Sequence, residues 1–372
     1  MKFYRPTFAE IDLGAIRHNL RKIKQVVGKG IGILGVVKAD AYGHGMEEVS
    51  RAIVKEGVDY LGVSSLDEAR ELRRVGIKNK IIMLGAILPE ESEAVLRFNV
   101  IQTVSDLRIA RILSKLGQAK NKNVRLHIKI DTGMGRLGFW HKEALDFVRS
   151  IASLKRIVID GIFTHFPSAE DDRLFTHGQI KDFKALIEEL WQHNIDIPVK
   201  HTSNSMALID FKDSHMNMVR PGLIMYGLYP KMNLMKRLDL KPTLKLRTKI
   251  VYVKSVSKGR SISYGRTYVT KRDTRIATIP VGYGDGYSRH LSNRADVLIR
   301  GRRAPIVGRV CMDMSMVDVG HLKDARIGDD VILIGRQGKE IIRVEELSAL
   351  TKTIPYEVVC NIGRRVPRIY IK

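Results

Sequence analysis

The sequence predicts an α/β protein in which a TIM-type (β/α)8 barrel occupies residues 1–240 and an all-β domain occupies residues 241–372. Up to residue 230, strand-like apolar runs alternate with helical patterns, and eight such strands are the pattern of this barrel. After Pro242 the chain becomes rich in Val, Ile and Thr between glycine-containing turns, which is typical of short strands in an all-β domain.

The elements of the predicted barrel follow one another in a regular order. A short strand at 7–11 opens the chain, and Asp12 is placed to cap a helix at 13–24. The eight barrel strands end near Lys38, Ser64, Leu84, Val104, Lys129, His165, Thr202 and Arg220. Further helices are predicted at 45–56, 65–75, 89–98, 105–117, 141–154 and 174–193. Ser65 and Glu68 have the spacing of a capping box.

The C-terminal domain is predicted to consist of strands joined by turns. The strand-like segments are 243–256, 275–281, 296–300, 304–310, 315–319 and 330–335. The segment 231–242 is the predicted connector between the barrel and this domain.

Composition places the chain among large cytoplasmic proteins. A chain of 372 residues with 44% apolar content can bury a sizeable core and is expected to form two domains. Its two cysteines, Cys311 and Cys360, supply no disulfide framework and suit a reducing compartment. The N-terminus lacks a signal-peptide pattern, and no run approaches the ~18–20 apolar residues of a membrane span. We therefore expect a cytoplasmic protein without membrane contact or bound metal.

The net charge of +24 raises the alternative of a nucleic-acid partner. Half of the excess lies in residues 231–275, which hold 14 Lys and Arg against Asp239 and Asp273. These charges are interleaved with strand-like apolar residues instead of being clustered on one helix. The pattern favours a solvated basic surface, and a nucleic-acid-binding barrel scaffold would instead show steeply salt-dependent affinity.

The most informative residue is Lys38, which follows the apolar run Ile31–Val37 at the end of a predicted buried strand. Burial lowers the pKa of an amine and makes it a nucleophile that can form a Schiff base. The carboxyl ends of barrel strands converge on one face, whatever their separation in sequence. Five polar or charged side chains are expected on that face, namely Lys38, Lys129, His165, Ser205 and Arg220.

The loops after strands seven and eight indicate a phosphate site. Barrel enzymes often bind phosphate there through backbone N–H groups and a hydroxyl. Gly222 would let a phosphate approach the backbone closely, and Ser205 would add a hydroxyl donor. Together with a Schiff-base lysine on strand one, this arrangement suggests pyridoxal 5′-phosphate as the cofactor.

At this point the chain resembles a known family, the bacterial alanine racemases, which are barrel-type pyridoxal-phosphate isomerases. The resemblance covers essentially the whole length. The matching stretches are AEIDL (9–13), VVKADAYGHG (36–45), HIKIDTGMGRLG (127–138), Thr164–Phe166, Asn204-Ser205, NMVRPGLIMYGL (217–228), ISYG (262–265), GYGDGY (282–287), GRVCMDM (308–314) and YEVVCNIGRRVPR (356–368).

The resemblance implies a role for each residue around the cofactor. Lys38 would anchor it covalently, His165 would pack beside the pyridine ring, and Arg220 would face the ring nitrogen. The residues implied in cofactor binding, mainly at the phosphate, are Tyr42, Asn204, Ser205, Gly222, Leu223 and Tyr356. Because arginine is a permanent cation with only donors, the ring nitrogen would stay unprotonated. The ring would then withdraw electrons weakly, which suppresses transamination.

The resemblance also implies the substrate, L- and D-alanine, whose interconversion supplies D-alanine for peptidoglycan. Racemisation needs one base on each face of Cα. Lys38 would serve one face, and Tyr264 from the partner subunit would serve the other, so the homodimer would share its active sites. The remaining implied roles belong to Arg136 at the substrate carboxylate, Met312 closing the site from the other chain, Tyr283 and Arg309 at the entrance, and Lys129 as a carbamylated lysine.

Other activities of the same scaffold remain open alternatives. A racemase of broader specificity would accept serine, lysine or arginine. A tight pocket excludes bulk well and rejects one missing methylene poorly, which favours alanine, with serine as a possible poor substrate. A decarboxylase of the same barrel family would place a carboxylate at the ring nitrogen, which Arg220 argues against. A Schiff-base aldolase without a cofactor would need no partner for that nitrogen.

Overall fold

The computed structural model describes residues 4–372, apart from the side chain of Lys236, and it divides into two compact units. We call the first the barrel unit; it contains Arg17–Ala41 and Met46–Met225. We call the second the sheet unit; it contains the segment that ends at Ile16, the segment Tyr42–Gly45 and the C-terminal part Tyr226–Lys372.

The barrel unit contains all eight predicted strands, so the predicted fold class is confirmed. The strands are Gly32–Val36, Tyr60–Val63, Lys80–Met83, Val100–Val104, Val124–Asp131, Ile157–Phe163, Val199–His201 and Met218–Val219. Consecutive strands pair in parallel as far as Val199–His201, and the last strand pairs with the first through Met218 opposite Gly32. This ring of parallel strands, nearly closed, brings the carboxyl ends of the strands to one face.

The helices of the barrel agree with the predicted pattern. They are Leu13–Val27, Met46–Lys55, Leu66–Arg74, Ser92–Arg97, Leu107–Ala119, Ala144–Ala152, Arg173–Gln192 and Ser205–Asp210. Their buried faces carry apolar residues at helical spacing, as in Met46, Val49 and Ile53. The carboxylate of Asp12 accepts the Ala15 N–H at 2.7 Å, as its predicted capping role requires. None of the helices in this described part of the chain is long and apolar enough to cross a membrane.

The predicted capping box is only half formed. The Ser65 hydroxyl accepts the Glu68 N–H at 3.2 Å. The Glu68 carboxylate, however, does not return to Ser65; it accepts the backbone N–H groups of Ser64 and Ala39, each at 2.7 Å. Glu68 therefore ties the loop after the second barrel strand to the residue that follows Lys38.

The opening strand, Phe8–Asp12, corrects the expectation that residues 1–240 belong to the barrel. It pairs antiparallel with Leu244–Lys249 and parallel with Arg368–Ile371, so it lies inside the sheet of the C-terminal part. The buried residues Ala9 and Ile11 alternate with more exposed neighbours, and the sequence pattern indicates this alternation. The antiparallel partner strand, however, lies more than 200 residues away in the chain. Alternation defines a buried face and does not say which sheet buries it.

The sheet unit is built mostly from antiparallel strands. The largest sheet contains Phe8–Asp12, Leu244–Lys249, Asp296–Ile299, Arg302–Pro305, Asp330–Gln337, Glu340–Ile342 and Arg368–Ile371. The smaller sheets contain Tyr252–Val256, Thr274–Ile279 and Ser315–Asp318 in one case, and Ser261–Ile262 with Tyr268–Val269 in the other. The all-β prediction was incomplete here, because two short helices, Val344–Thr351 and Pro355–Cys360, follow the strands.

Two further boundaries in the sheet unit differ from the prediction. The segment 243–256 forms two strands in different sheets, and the strand predicted at 304–310 is Arg302–Pro305. In the predicted connector, Met232–Lys236 forms a 3₁₀ turn. Short β-branched runs predict strands well, but they do not show where a strand changes sheets.

A left-handed helical turn follows Lys38, and no sequence pattern predicted it. The φ angles are 53–55° from Ala39 to Tyr42, and Gly43 follows at 76°. Left-handed conformation costs about 1–2 kcal/mol for each residue with a Cβ, so four in succession need external support. Asp40 supplies part of it by accepting the Met46 N–H at 2.7 Å.

We expect the exchange Ala39→Gly to raise the free energy of unfolding by up to about 1 kcal/mol. Glycine removes the steric cost of the left-handed conformation at this exposed position, and that gain exceeds the added entropy of the unfolded chain. The matched control is Ala119→Gly at the exposed end of a right-handed helix, which should lose about 0.5–1 kcal/mol. Urea unfolding measures both, and equal losses in the two variants would contradict the assignment.

Candidate active site

Lys38 lies where the first barrel strand, Gly32–Val36, ends and the left-handed turn begins. Its side chain is partly buried, and the N–H of the next residue, Ala39, is held by Glu68. The loop after the eighth strand is attached at the same place, because Pro221 O accepts the Val36 N–H at 3.1 Å. The loops that follow the first and last strands are thus direct neighbours.

Arg220 follows the eighth strand and is 5% exposed. Its guanidinium donates to three backbone carbonyls: Thr164 O at 2.8 Å, His201 O at 2.9 Å and Thr202 O at 2.9 Å. These bonds fix the plane of the guanidinium across the ends of three barrel strands. Burial lowers the pKa of Arg220 to about 9, which still leaves it charged at neutral pH.

Two histidines contact the guanidinium as acceptors. Nδ1 of His201 lies 3.0 Å from Nη1 of Arg220, and Nδ1 of His165 lies 3.3 Å from Nη2. Burial first, and then the charge of Arg220, lowers the pKa of both imidazoles well below the ordinary value. Both rings are therefore neutral at pH 7. His165 was predicted in the site, whereas His201 was not.

Lys129 lies on the fifth strand and points inward with His127 and Asp131, which are two residues away on either side. Its ammonium nitrogen lies 4.4 Å from the centroid of the Phe163 ring. Burial, followed by the charges of Arg220 and Arg136, lowers the pKa of Lys129 well below the ordinary value. Burial and the neighbouring cations thus favour the neutral form of this amine at the barrel mouth.

The loop that carries Arg136 is shaped by one carboxylate. Asp131 accepts three successive backbone N–H groups, those of Gly133, Met134 and Gly135, each at 2.8 Å. Arg136 follows directly and is exposed at the end of this tight loop. The sequence indicated Arg136 but gave no hint that Asp131 holds the loop.

The predicted phosphate loops are joined by hydrogen bonds, one of which runs from the Arg220 N–H to Ser203 O at 3.1 Å. The Gly222 N–H donates to the Ser205 hydroxyl at 3.0 Å, and both residues are buried. Leu223 begins the following 3₁₀ turn. The side chain of Asn204 has a structural role: its oxygen accepts the Ala207 N–H at 3.0 Å and caps the helix Ser205–Asp210.

In the sheet unit, the left-handed turn presents Tyr42 to two other tyrosines. The ring centroid of Tyr42 lies 5.7 Å from that of Tyr356 and 4.9 Å from that of Tyr226. Burial raises the pKa of the Tyr42 phenol above its ordinary range, so the group remains a neutral hydrogen-bond donor. The structure thus brings together two of the residues predicted at the phosphate.

Tyr264 lies in a short turn of the sheet unit, next to Arg309, and is 70% exposed. The Ser263 hydroxyl donates to Arg309 O at 2.6 Å. Gly265 has a φ of 68°, and a Cβ there would lie 3.0 Å from the Arg309 guanidinium. The turn therefore favours glycine for its left-handed backbone, and the guanidinium of Arg309 packs closely against it.

Tyr283 and Met312 lie on two neighbouring segments that are joined by backbone hydrogen bonds. The Tyr283 N–H donates to Cys311 O at 3.0 Å, and the Gly284 N–H donates to Met312 O at 2.9 Å. Both side chains are about half exposed. The buried carboxylate of Asp285 fixes the loop by ion pairs with Arg5 and Arg365.

Within residues 4–372, no group of three or more His, Cys, Asp or Glu is arranged to hold a metal ion. Within the same residues, neither Cys311 nor Cys360 forms a disulfide.

Comparison with known families agrees with this geometry. The model for the N-terminal domain of alanine racemase matches residues 11–230, and the model for the C-terminal domain matches residues 243–370. The alanine racemase of Halothermothrix orenii is 47% identical over 367 residues, which are 98% of this chain and 97% of that protein. Alanine racemase 1 of Caldanaerobacter subterraneus is 44% identical and aligns over 100% of this chain and 96% of its own length.

Solved structures give the same result. Alanine racemase from Clostridium difficile superposes with a TM-score of 0.94 at 39% identity, covering 100% of this chain and 97% of that one. The Bacillus anthracis alanine racemase with bound L-Ala-P superposes with a TM-score of 0.93 at 38% identity, covering 100% and 96%. Family models, relatives and structures therefore all show that this chain belongs to the alanine racemases, a family of isomerases.

Proposed function

We propose that this protein interconverts L-alanine and D-alanine, with pyridoxal 5′-phosphate held covalently by Lys38, and that it supplies D-alanine for peptidoglycan in the cytoplasm. Family membership supports the reaction. The observation that carries the proposal is the neighbourhood of Lys38 and the buried, fully engaged Arg220 at the joined ends of the first and last barrel strands.

The side chains at the barrel mouth fit this cofactor. The buried guanidinium of Arg220 offers only donors, which suit an unprotonated ring nitrogen. The Ser205 hydroxyl, which accepts the Gly222 N–H, keeps its own proton to donate to a phosphate. We assign Gly222, Leu223, Tyr42 and Tyr356 to the same phosphate. Asn204 would act by fixing the helix that begins at Ser205. When bound, the cofactor withdraws electrons from Cα of the amino acid and so acidifies its proton.

Two bases then move that proton. Nζ of Lys38 serves one face of Cα, and Oη of Tyr264 serves the other. We propose that Tyr264 comes from the partner in a head-to-tail homodimer, which agrees with the exposure of Tyr264, Tyr283 and Met312 on the sheet unit. The guanidinium of Arg136 orients the substrate carboxylate, because both groups are planar and can form two parallel hydrogen bonds. This pairing disfavours substrates that lack a carboxylate. Tyr283 and Arg309 would narrow the entrance to small amino acids.

The decisive experiment combines a spectrum with an enantiomer assay. We expect the purified protein to absorb visible light, to lose that absorbance on borohydride reduction, and to carry the reduced cofactor on the peptide containing Lys38. It should then exchange L- and D-alanine faster than either enantiomer of serine, lysine or arginine. Release of carbon dioxide without exchange of enantiomers would overturn the proposal in favour of a decarboxylase.

We also expect Lys129 to be carbamylated. Carbon dioxide reacts with an unprotonated amine, and burial together with Arg220 and Arg136 lowers the pKa of Lys129 well below the ordinary value. The carbamate would place an anion beside two guanidinium groups. Peptide mass analysis without acid treatment should show the added mass of one carbon dioxide on Lys129 and none on the exposed Lys115. An unmodified Lys129 in bicarbonate buffer would refute this assignment.

A further inference from the structure

A line of buried polar side chains crosses the barrel interior beneath Arg220. Nη1 of Arg220 lies 3.0 Å from Nδ1 of His201, and Nε2 of His201 lies 2.9 Å from Nδ1 of His127. Nε2 of His127 then lies 3.8 Å from Oδ2 of Asp160. Both histidines are fully buried, and the Asp160 side chain is 7% exposed. The mechanism proposed above uses only the first member of this line.

The chemistry of arginine sets the direction of these hydrogen bonds. Arginine has donors and no acceptor, so Nδ1 of His201 must accept. Burial and the nearby Arg220 charge keep His201 neutral, and its proton must then lie on Nε2, from which it donates to Nδ1 of His127. The same reasoning leaves His127, also kept neutral by burial, with its proton on Nε2. Both ring N–H groups therefore point away from Arg220.

Asp160 lies where this directed line needs an acceptor. Among the described residues, Nε2 of His127 and Oδ2 of Asp160 are both buried without a hydrogen-bond partner, and they lie 3.8 Å apart. The other oxygen of Asp160 pairs with Arg125 at 2.5 Å. His127, followed by Lys80 and Arg125, lowers the pKa of Asp160 to about 2, so the acceptor is an anion.

We propose that Asp160 is a positioning residue for Arg220: through His127 and His201 it fixes both imidazole tautomers, so that Nδ1 of His201 always accepts from the guanidinium. Without this acceptor, His127 can place its proton on Nδ1 and donate back to His201. His201 would then carry its proton on Nδ1, facing the donors of Arg220. One of the two groups would have to move, and this repulsion would push the guanidinium away from the position that its three backbone carbonyl acceptors give it.

The first test reads the tautomers directly and needs no turnover. In protein with ¹⁵N-labelled histidine, long-range proton–nitrogen spectra at neutral pH should show His127 and His201 with Nε2 protonated and Nδ1 bare. Single His→Gln variants assign the signals. A protonated Nδ1 on either ring would overturn the proposal, whatever the protein catalyses.

The second test separates the acceptor from the charge. Asp160→Asn keeps an acceptor oxygen and should preserve both tautomers, whereas Asp160→Leu removes the acceptor and should give mixed tautomers. Arg125→Gln, which leaves the Asp160 acceptor in place, is the control. Asp160→Leu could unfold far below the working temperature. In that case Asp160→Asn and Arg125→Gln still test the proposal, because mixed tautomers in either variant would contradict the role of the acceptor.

The functional consequence rests on the proposed racemase activity. In Asp160→Leu we expect kcat to fall by about 10- to 100-fold with little change in KM, because a displaced guanidinium no longer faces the ring nitrogen correctly. An unchanged kcat together with mixed tautomers would overturn the link to Arg220. Failure of the proposed function would look different, with the expected tautomers in a wild-type protein that exchanges no alanine enantiomers.

Discussion

Replacement of Lys38 by alanine is expected to abolish racemisation in both directions, by at least about 10⁴-fold. The amine at the end of the first strand performs two tasks in our proposal: it anchors the cofactor and it moves the proton on one face of Cα. A variant without it loses both. Initial rates from L-alanine and from D-alanine, measured with added pyridoxal 5′-phosphate, give the size of the loss.

The matched control is Lys115→Ala, on the exposed face of the helix Leu107–Ala119. It removes an amine of the same kind far from the strand ends of the barrel and should leave both rates unchanged. Full activity of Lys38→Ala in either direction would refute the proposed anchor. Borohydride treatment adds an independent readout, because the variant should no longer retain reduced cofactor.

Replacement of Tyr264 by phenylalanine should lower the rate by about 10²- to 10⁴-fold while leaving the cofactor bound. The exchange removes only the hydroxyl, and the ring keeps its place in the turn beside Arg309. Because Lys38 still serves its own face of Cα, solvent hydrogen exchange should persist for one enantiomer and disappear for the other. Tyr252→Phe, at another exposed tyrosine of the same unit, should have full activity.

Mixed dimers test whether the two bases come from different chains. In a dimer of one Lys38→Ala chain and one Tyr264→Phe chain, shared sites would leave one site with both substitutions and one with neither. Random mixing of the two inactive variants should then restore activity to about a quarter of the wild-type value. Mixtures that stay as inactive as the separate variants would show that Tyr264 acts within its own chain.

The sequence predicted the barrel because its strands are regular. Eight apolar runs were placed within a few residues of their observed ends, and the last strand closes on the first as the barrel class requires. The prediction was weaker for the sheet unit. The strand Phe8–Asp12 joins partners at the opposite end of the chain, and Val344–Thr351 is helical in a region expected to contain only strands. Strand patterns report a buried face, whereas pairing partners are chosen by packing.

For the site, the sequence identified the groups that carry charge or can react, but it missed most of the groups that hold them. Lys38, Arg220 and His165 were placed at strand ends, and the structure puts Arg220 in contact with His165 there. Asp131, which shapes the loop before Arg136, and the histidine pair behind Arg220 were not recognised. One signal was available: a polar residue such as His127 at an inward position of an apolar strand is costly unless it is hydrogen-bonded.

What the sequence by itself determined is the alternation of strands and helices, and with it the face of the barrel on which Lys38 and Arg220 converge. Local patterns suffice for this, because hydrophobic period and strand direction are encoded over a few residues. Only the tertiary structure decided the left-handed turn after Lys38 and the direction of the hydrogen bonds from Arg220 to His127. Both depend on partners distant in the chain: Glu68 holds the Ala39 N–H, and a buried imidazole takes the tautomer that its neighbours impose.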